Sequence, residues 1–368
     1  MTPLMPHPPV ASLDFTETCS AQEFPEERTV GVPLFLQQAE AMPVLDVRSP
    51  AEFTQGHVPG AISLPLLDND QRAEIGTLYK QQGRETAFAR GLELIAPKIP
   101  YFLEVAQQVT AHGAGQDIAV YCWRGGERSL GMARLLHGAG YGVWRLGGGY
   151  KAFRNYVLDL FQQPVRLLVL GGQTGVGKTD VLHAMAAQGA QVVDLEHLAR
   201  HRGSAFGSLP HEGQPTCEHF ENRLAMALRC CSGARPVWVE DESEKLGRVR
   251  IPQALFQVKE AAPAVLLEAG TAERLVRIVE EYGTLPPASL AKALEKIQKR
   301  LGSQQYRAAL ALLEAGEIAS LAGLLLVYYD KGYARQMRKR AYAMTITGTT
   351  PQETAQRLLA LEAQLVQP

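Results

Sequence analysis

The sequence predicts an α/β protein with two successive parallel-sheet domains and a helical C-terminal region. Short apolar strands alternate with helices twice, once before and once after a break near residues 157–165. Such alternation is typical of parallel sheets covered by helices. The 368 residues, 46% of them hydrophobic, can form two or three cores, since a domain takes roughly 100–200 residues.

The first alternation follows an N-terminal arm, residues 1–28, which is rich in Pro, Thr and Glu and is predicted to be mobile. Apolar runs and turn residues predict its strands, and helical spacing of apolar residues predicts its helices. The predicted strands lie within 41–49, 56–65, 117–122 and 143–153, and the predicted helices within 68–95, 101–112 and 128–140. We therefore expect the first domain to span residues 29–158.

The second alternation begins with the apolar run RLLVLGG. Its predicted strands are 166–172, 191–196, 235–243 and 264–270, and its predicted helices are 178–189 and 218–231. We expect this second domain over residues 165–285. The proline pair that follows marks a boundary, and helical spacing then predicts a helical region over residues 286–368.

Composition excludes several classes of protein. The 37 basic and 38 acidic residues give a net charge of −1, which argues against a non-specific nucleic-acid coat. Five cysteines without a C-x-x-C pair fit neither a disulfide framework nor a zinc cage. With no signal-peptide pattern and no apolar run of about 18 residues, we expect a cytoplasmic protein without a membrane span.

A single cysteine stands at the end of a predicted strand in the stretch AVYCWRGGERS. Cys122 there precedes a glycine-rich turn that carries Arg124 and Arg128 and leads into a helix. A helix N-terminus and nearby cations favour a reactive thiolate, and loop amides can bind an anion. The pattern predicts a site for a sulfur, selenium or phosphorus oxyanion. A buried structural cysteine remains the alternative, and the spacing of Cys122 and Arg128 also matches cysteine phosphatases.

The second domain contains a complete G-x-x-x-x-G-K-[ST] motif between a strand and a helix. That context is the one in which the motif binds phosphate. Its residues are Gly172, Gly175, Gly177, Lys178 and Thr179. The glycine amides are predicted to bind a diphosphate, Lys178 to neutralise it, and Thr179 to meet a Mg²⁺ ion where one is present.

The strand VWVEDES ends in acidic residues at the position where an NTPase holds its metal-orienting acid. Glu240 and Asp241 are the candidates for this role. The alternative is a solvated acidic strand end. ATP hydrolysis is not assumed, because the sequence contains no evident residue that would position water.

Two family resemblances follow from these motifs. The stretch VLDVRSPAEFTQGHVPGAISLP, together with the Cys122 loop and GGYKAF, resembles rhodanese domains over residues 30–158. YCWRGGERS, GGQTGVGKT, DLEHLARHRGSAFG, VWVEDES and LLVYYDKGY, taken in order, resemble the tRNA 2-selenouridine synthase family. The resemblance implies a rhodanese-like domain followed by a P-loop NTPase-like α/β domain, and it adds Arg202 as a phosphate contact.

The resemblance also implies the reaction. Geranyl diphosphate would alkylate the sulfur of 2-thiouridine at the wobble position of a tRNA, and selenium from selenophosphate would then replace S-geranyl. Both donors would be co-substrates, with no tightly bound cofactor and Mg²⁺ as a candidate ion. An enzyme that supplies selenophosphate is a candidate partner. The alternatives are a rhodanese-type sulfurtransferase coupled to a nucleotide-binding domain, and a non-catalytic binding module.

Two basic stretches of the C-terminal region are candidates for tRNA contact. KALEKIQKRLG and KGYARQMRKR place basic side chains at helical spacing, where they can neutralise phosphates. A solvated helix surface explains either stretch alone equally well. The candidates are Lys296, Lys299, Arg300, Arg335 and Arg338.

Overall fold

The computed structural model describes residues 28–111, 116–204, 206–207, 213–337 and 340–365, except for the side chains of residues 334–337. The predicted N-terminal arm, apart from Arg28, lies outside these residues. The chain divides into two compact units after Leu158. That position lies inside the break predicted at residues 157–165.

The first unit is built on a five-stranded parallel sheet in the order β1-β5-β4-β2-β3. Its strands are β1 Thr29–Val30, β2 Val44–Asp46, β3 Ile62–Ser63, β4 Asp117–Tyr121 and β5 Gly142–Leu146. Its helices are α1 Val32–Gln38, α2 Pro50–Gln55, α3 Asn69–Gln82, α4 Arg84–Ile95, α5 Ile99–Thr110, α6 Glu127–Gly138 and α7 Gly149–Leu160. A 3₁₀ turn, Ala96–Lys98, joins α4 to α5.

The core of the first unit lies where strand side chains meet the covering helices. Leu45 of β2 and Ile118 and Val120 of β4 are fully buried, and they pack in one cluster with Phe102 of α5 and Met132 of α6. Helices cover both faces of a parallel sheet, so both faces of its strands are buried. The apolar residues of these strands therefore form continuous runs and do not alternate with polar residues. This rigid sheet fixes the end of β4, where Cys122 follows.

The second unit is built on a parallel sheet in the order β12-β11-β6-β8-β7. Its strands are β6 Leu167–Gly171, β7 Gln191–Val192, β8 Val237–Glu240, β11 Ala264–Glu268 and β12 Met344–Thr347, with β9 Lys245–Leu246 and β10 Val249–Arg250 forming a separate antiparallel pair. Its helices are α8 Lys178–Ala187, α9 Leu195–Ala199, α10 Cys217–Arg229, α11 Gln253–Ala261, α12 Thr271–Tyr282, α13 Pro287–Leu301, α14 Ser303–Glu314, α15 Ile318–Met337 and α16 Pro351–Leu365.

Several predicted boundaries are wrong. Helix was predicted throughout residues 286–368, yet β12 pairs in parallel with β11 and closes the sheet, from Val265 opposite Met344 to Glu268 opposite Thr347. The predicted strand 191–196 ends after two residues, because the Asp194 carboxylate accepts the His197 N–H and starts α9. The predicted helix 68–95 is two helices that meet at Gly83.

The predicted fold class is confirmed by these two sheets, each parallel and covered by helices. Among the described residues, no helix combines the length and the apolar character that crossing a membrane requires.

Candidate functional site

Cys122 lies between the end of β4 and the start of α6. Its Sγ is 3.1 Å from the Ser129 Oγ and 3.9 Å from the Gly126 carbonyl oxygen. The side chain of Ser129 is buried within the first turn of α6, so its hydroxyl can donate to a thiolate. The side chain of Cys122 is 3% exposed, and the N-terminus of α6 favours negative charge beside it.

A glycine-rich turn after β5 clamps the cysteine loop. The backbone N–H groups of Tyr150 and Lys151 donate to the carbonyls of Cys122 and Trp123 at 2.8 and 2.9 Å. Gly149 has φ 60°, and a Cβ there would lie 2.3 Å from the Cys122 carbonyl oxygen and 2.5 Å from the Gly125 nitrogen. Only glycine fits such a contact, so the turn after β5 holds the cysteine loop in place.

A buried ion pair supports the strand that carries the cysteine. Arg48 and Asp46 are both 0% exposed and meet at 2.6 Å. Tyr121, which directly precedes Cys122, donates its hydroxyl to the Asp46 carboxylate at 2.7 Å and accepts the Val58 N–H at 3.1 Å. The Asp-x-Arg and Gly-His-x-Pro-Gly-Ala stretches are thus joined through one tyrosine. Their role is to fix the backbone beneath the loop.

The cations near Cys122 are arranged differently from the prediction. Arg128 forms a bidentate pair with Glu52 at 2.7 and 3.2 Å. Burial alone would raise the pKa of Glu52. The hydrogen bond and the charge of Arg128 lower this pKa overall, so the pair stays charged. Arg124 is exposed on the loop. Arg145 of β5, which the sequence did not single out, donates to the Gly125 carbonyl and interacts electrostatically with Cys122.

The glycine-rich motif of the second unit joins β6 to α8. Gly172, Gly175 and Gly177 have φ of 155°, 77° and 89°, and a Cβ at Gly172 would lie 2.7 Å from the Leu267 carbonyl oxygen. The turn is therefore closed tightly against β11. Lys178 bends back so that its Nζ donates to the Gly172 carbonyl at 2.9 Å. This is the loop geometry expected of a phosphate cradle.

A pair of carboxylates faces Lys178. Glu196 of α9 hydrogen-bonds to Glu242, which follows β8. Burial and the charge of Glu242 raise the pKa of Glu196 to about 8. Burial likewise raises the pKa of Glu242, against the opposing effect of Lys178. For Lys178 itself burial lowers the pKa, but these carboxylates outweigh it and the net shift is upward.

A Mg²⁺ ion fits beside this motif only in a particular way. The Thr179 Oγ1 lies 3.4 Å from the Glu196 Oε2. Among the described residues, no three His, Cys, Asp or Glu side chains come together as a metal site. Mg²⁺ is commonly held by one or two carboxylates, with phosphate oxygens and water completing the octahedron. Thr179 and Glu196 fit that pattern once a diphosphate supplies the remaining oxygens.

The two predicted acids at the end of β8 are engaged elsewhere. Glu240 is 0% exposed, and its Oε2 accepts the Leu195 N–H at 2.9 Å. Burial raises the pKa of Glu240 well above its usual range. Asp241 accepts hydrogen bonds from Lys259 at 3.1 Å and from Arg340 at 2.9 Å. These are structural contacts, and the acids that act most strongly on Lys178 are Glu242 and Glu196 instead.

The motif opens into a cleft of about 1120 Å³ within the second unit. Arg202 lines this cleft and is paired with Glu281. Arg277 of α12 also lines it and donates to the Val176 carbonyl at 3.3 Å. Arg277 was missed in the sequence, because nothing local to α12 indicates that it reaches a loop about a hundred residues earlier in the chain.

Tyr333 of α15 is a second residue with an unforeseen position. Its hydroxyl accepts the Gly172 N–H at 2.6 Å and lies 3.5 Å from the Tyr342 hydroxyl. These contacts hold Tyr333 against the first glycine of the motif.

The candidate tRNA contacts are only partly described. Lys296, Lys299 and Arg300 are exposed on α13, and Arg300 also lines the cleft. Lys299 lies opposite the buried face formed by Leu294 and its neighbours. The side chain of Arg335 and all of Arg338 lie outside the described residues. Arg340, the last basic residue of the second stretch, donates to Asp241 and is structural.

Comparisons with known proteins agree with this arrangement. A model of the rhodanese-like domain matches residues 35–156. A model described as the tRNA 2-selenouridine synthase AAA domain matches residues 165–363. The two matches follow the same order as the two units.

Curated relatives match along most of the chain. A tRNA 2-selenouridine synthase of Pseudomonas fluorescens is 36% identical over 343 residues, which are 83% of this chain and 92% of the relative. One of Bordetella bronchiseptica is 36% identical over 353 residues, 86% and 93% of the two chains. One of Cupriavidus pinatubonensis is 38% identical over 343 residues, 83% and 92%. With both domain models matched in order and relatives aligned over nearly their full length, this chain belongs to the tRNA 2-selenouridine synthase family, whose members are transferases.

Proposed function

We propose that this chain converts 2-thiouridine at the wobble position of tRNA into 2-selenouridine in two steps. Geranyl diphosphate first alkylates the sulfur, and selenium from selenophosphate then replaces the S-geranyl group. The observation that carries the proposal is the presence in one chain of two different loops suited to anions, the Cys122 loop and the motif containing Lys178. The reaction takes place in the cytoplasm, where reduced thiols persist.

In the first step, the sulfur attacks C1 of the geranyl chain and the carbon–oxygen bond to diphosphate breaks. The leaving diphosphate carries the developing negative charge. We assign its stabilisation to Lys178 and the amides of residues 175–178, with Arg277 beside the same turn. The N3 proton of the base is lost in this step. We assign its acceptor as Glu242, which lines the same cleft.

In the second step, electron balance decides the role of Cys122. Selenium in selenophosphate is already at the selenide level, so a selenosulfide on Cys122 would require an added oxidant. Attack of the Cys122 thiolate on phosphorus requires none. The sulfur–phosphorus bond forms, the phosphorus–selenium bond breaks, and the selenide attacks C2 and displaces geranyl thiolate. Water then releases phosphate from the cysteine.

The test is nucleoside mass analysis after incubation with 2-thiouridine tRNA, geranyl diphosphate and selenophosphate. Cys122→Ser should abolish selenation and leave geranylation intact, with Cys217→Ser as the control because Cys217 is exposed in the other unit. Lys178→Ala should lower geranylation by about a hundredfold or more, as expected for the loss of a transition-state charge contact. Lys245→Ala, an exposed lysine of β9, is its control. Full activity of both test variants in both steps would contradict the proposal.

Two further measurements separate the alternatives. Mass spectrometry of protein treated with selenophosphate should find phosphate on Cys122. A selenium isotope pattern there without an oxidant would overturn the assignment at phosphorus. A plain sulfurtransferase would instead transfer sulfur from thiosulfate to cyanide and leave thiolated tRNA unchanged. A selenophosphate-supplying enzyme is the proposed partner. It should raise the rate of tRNA selenation when selenophosphate is limiting.

A further inference from the structure

Arg274 of α12 joins three groups from different parts of the second unit. Its Nε donates to the Thr174 carbonyl at 2.9 Å, and its Nη1 donates to the Gln173 Oε1 at 2.9 Å. Its Nη1 and Nη2 also donate to the two carboxylate oxygens of Asp330, at 3.1 and 2.6 Å. Gln173 and Thr174 belong to the glycine-rich motif and Asp330 belongs to α15. Arg274 therefore links the motif to α15.

Arg274 lies behind the motif and not in the cleft. Its side chain is 3% exposed, and it is not among the residues that line the cleft, whereas Thr174 and Gly175 are. Burying a charged group costs free energy unless it is paired and its N–H groups have acceptors. Asp330 supplies the paired charge, and the motif supplies the other acceptors. Arg274 can therefore act on a ligand in the cleft only through the motif that it supports.

The contact with the Thr174 carbonyl fixes one peptide group of the motif. In a planar trans peptide the carbonyl and the following N–H point in opposite directions. Because Arg274 holds the Thr174 carbonyl, the N–H of Gly175 points away from Arg274 and toward the cleft that Gly175 lines. A Cβ at Gly175 would lie 2.9 Å from the Arg274 carbonyl oxygen, so α12 closely backs this turn. A reversed peptide would present a carbonyl oxygen to a bound anion and repel it.

A second residue of α15 contacts the same turn. Tyr333 lies three residues after Asp330, hence on the same face of the helix, and its hydroxyl accepts the Gly172 N–H. The helix α15 thus holds two successive parts of the motif, one directly and one through Arg274. Hydrogen-bond donors that are fixed before a charge develops stabilise that charge more than mobile donors do.

We propose that Arg274 and Asp330 are positioning residues for the glycine-rich motif, which orient the Gly175 N–H toward a bound diphosphate. The inference rests on the proposed function, in which that diphosphate is the leaving group of the prenyl donor. Neither residue lines the cleft. Asp330 holds the guanidinium, and the guanidinium holds the Thr174 carbonyl. The affinity of the motif for a diphosphate should therefore depend on a side chain of α15 that does not touch the ligand.

Arg274→Lys tests the inference, with inorganic pyrophosphate as the probe and isothermal titration calorimetry as the measurement. Lysine keeps the positive charge but lacks the planar fork that holds Thr174, Gln173 and Asp330 together. The variant should bind pyrophosphate about ten- to a hundredfold more weakly, as expected for the loss of one hydrogen bond to a charged group. The number of binding sites should stay at the wild-type value. A role in folding alone would lower the number of sites and leave the affinity of the folded fraction unchanged.

Arg307→Lys is the control, because Arg307 is exposed on α14 and donates to the Ser303 carbonyl of its own helix. It should change neither the affinity nor the number of sites. Asp330→Asn covers the case in which Arg274→Lys fails to fold. It keeps the size of the side chain, removes the charge that holds the guanidinium, and should weaken pyrophosphate binding about three- to tenfold. Its control is Glu273→Gln, which removes an exposed charge from α12.

Pyrophosphate binding decides the inference, and geranyl transfer to thiolated tRNA decides the proposed function. Wild-type affinity in both variants, with or without a fall in the number of sites, would overturn the role of Arg274 and Asp330. Weakened binding in the variants, together with a wild type that transfers no geranyl group, would contradict the proposed function and leave the positioning role standing.

Discussion

At the scale of single residues, the main consequence of the fold is a pair of carboxyl groups held close together in a partly buried site. Glu196 keeps its proton up to about pH 8 in the folded protein, whereas the same side chain in an unfolded chain loses it near pH 4.3. The folded state thus binds more protons than the unfolded state between these values. The contribution of Glu196 to the free energy of unfolding is fully present below the pKa of the unfolded chain. It decreases above that pKa and is lost as the pH rises through about 8.

Glu196→Gln should therefore stabilise the protein more at pH 9 than at pH 6. At pH 6 the amide replaces a carboxyl that is protonated in the folded state and ionised only in the unfolded chain, and at pH 9 it also removes a buried charge beside Glu242. The melting temperature of the variant relative to the wild type should rise between the two pH values by about 2–4 °C for each kcal/mol recovered. Differential scanning calorimetry at both pH values measures this.

The control for that experiment is Glu314→Gln, which changes an exposed glutamate of α14. It should show the same small difference at pH 6 and pH 9. An equal effect of Glu196→Gln at the two pH values would show that Glu196 is already ionised at pH 6.

At the scale of elements, the position of Cys122 depends on the turn between β5 and α7 as much as on its own loop. The carbonyls of Cys122 and Trp123 are bonded to the N-terminus of α7. These bonds require the close approach that Gly149 permits. A helix N-terminus thereby holds the backbone of a loop that has no other regular structure.

Gly149→Ala should displace this loop. Its Cβ would overlap the Cys122 carbonyl oxygen, and the residue would be held at a positive φ, so we expect a loss of about 1–3 kcal/mol in stability. Selenation should fall much more than geranylation, because only the first unit is disturbed. Urea denaturation and nucleoside analysis measure the two effects.

Gly131→Ala is the matched substitution, because this glycine lies within α6 and a Cβ there meets no atom within 4 Å. Alanine should stabilise that helix by about 1 kcal/mol and leave both reactions unchanged. If Gly149→Ala behaved in the same way, the clamp would have no role.

At the scale of the whole molecule, the second unit is closed by the end of the chain. β12 forms an edge of its sheet beside β11, and α16 packs against α8. Trp238 of β8, which is fully buried, donates its indole N–H to Glu362 of α16 at 3.0 Å. The C-terminal segment is thus part of the core that supports the glycine-rich motif.

A chain that ends after Arg340 should therefore lose the fold of its second unit and keep the first. The truncation exposes the apolar faces of β11 and α8 to water, and burial of such surface is the main stabilising term in folding. Limited proteolysis should leave a protected fragment of about the first unit. A chain ended after Leu365 is the control and should resist proteolysis in both units; survival of the second unit without β12 and α16 would contradict this view.

The sequence predicted features that lie within one continuous stretch of chain. The glycine-rich motif and the Cys122 loop are each a strand, a turn and a helix, so their geometry is encoded by neighbouring residues. The strand β12 was missed because its four residues carry too weak a pattern to be recognised apart from the sheet that accepts them.

Alone, the sequence determined the α/β class, the order of the two units and the positions of the two loops that we propose bind anions. Only the tertiary structure decided which charges neutralise each other: Arg128 with Glu52, Arg202 with Glu281, and Asp241 with Lys259 and Arg340. The tertiary structure also decided that Glu196 and Glu242 meet at Lys178 and that Arg274 joins the motif to Asp330. The physical reason is that charge pairing depends on side chains brought together from distant parts of the chain, whereas a loop's backbone geometry is set by its own residues.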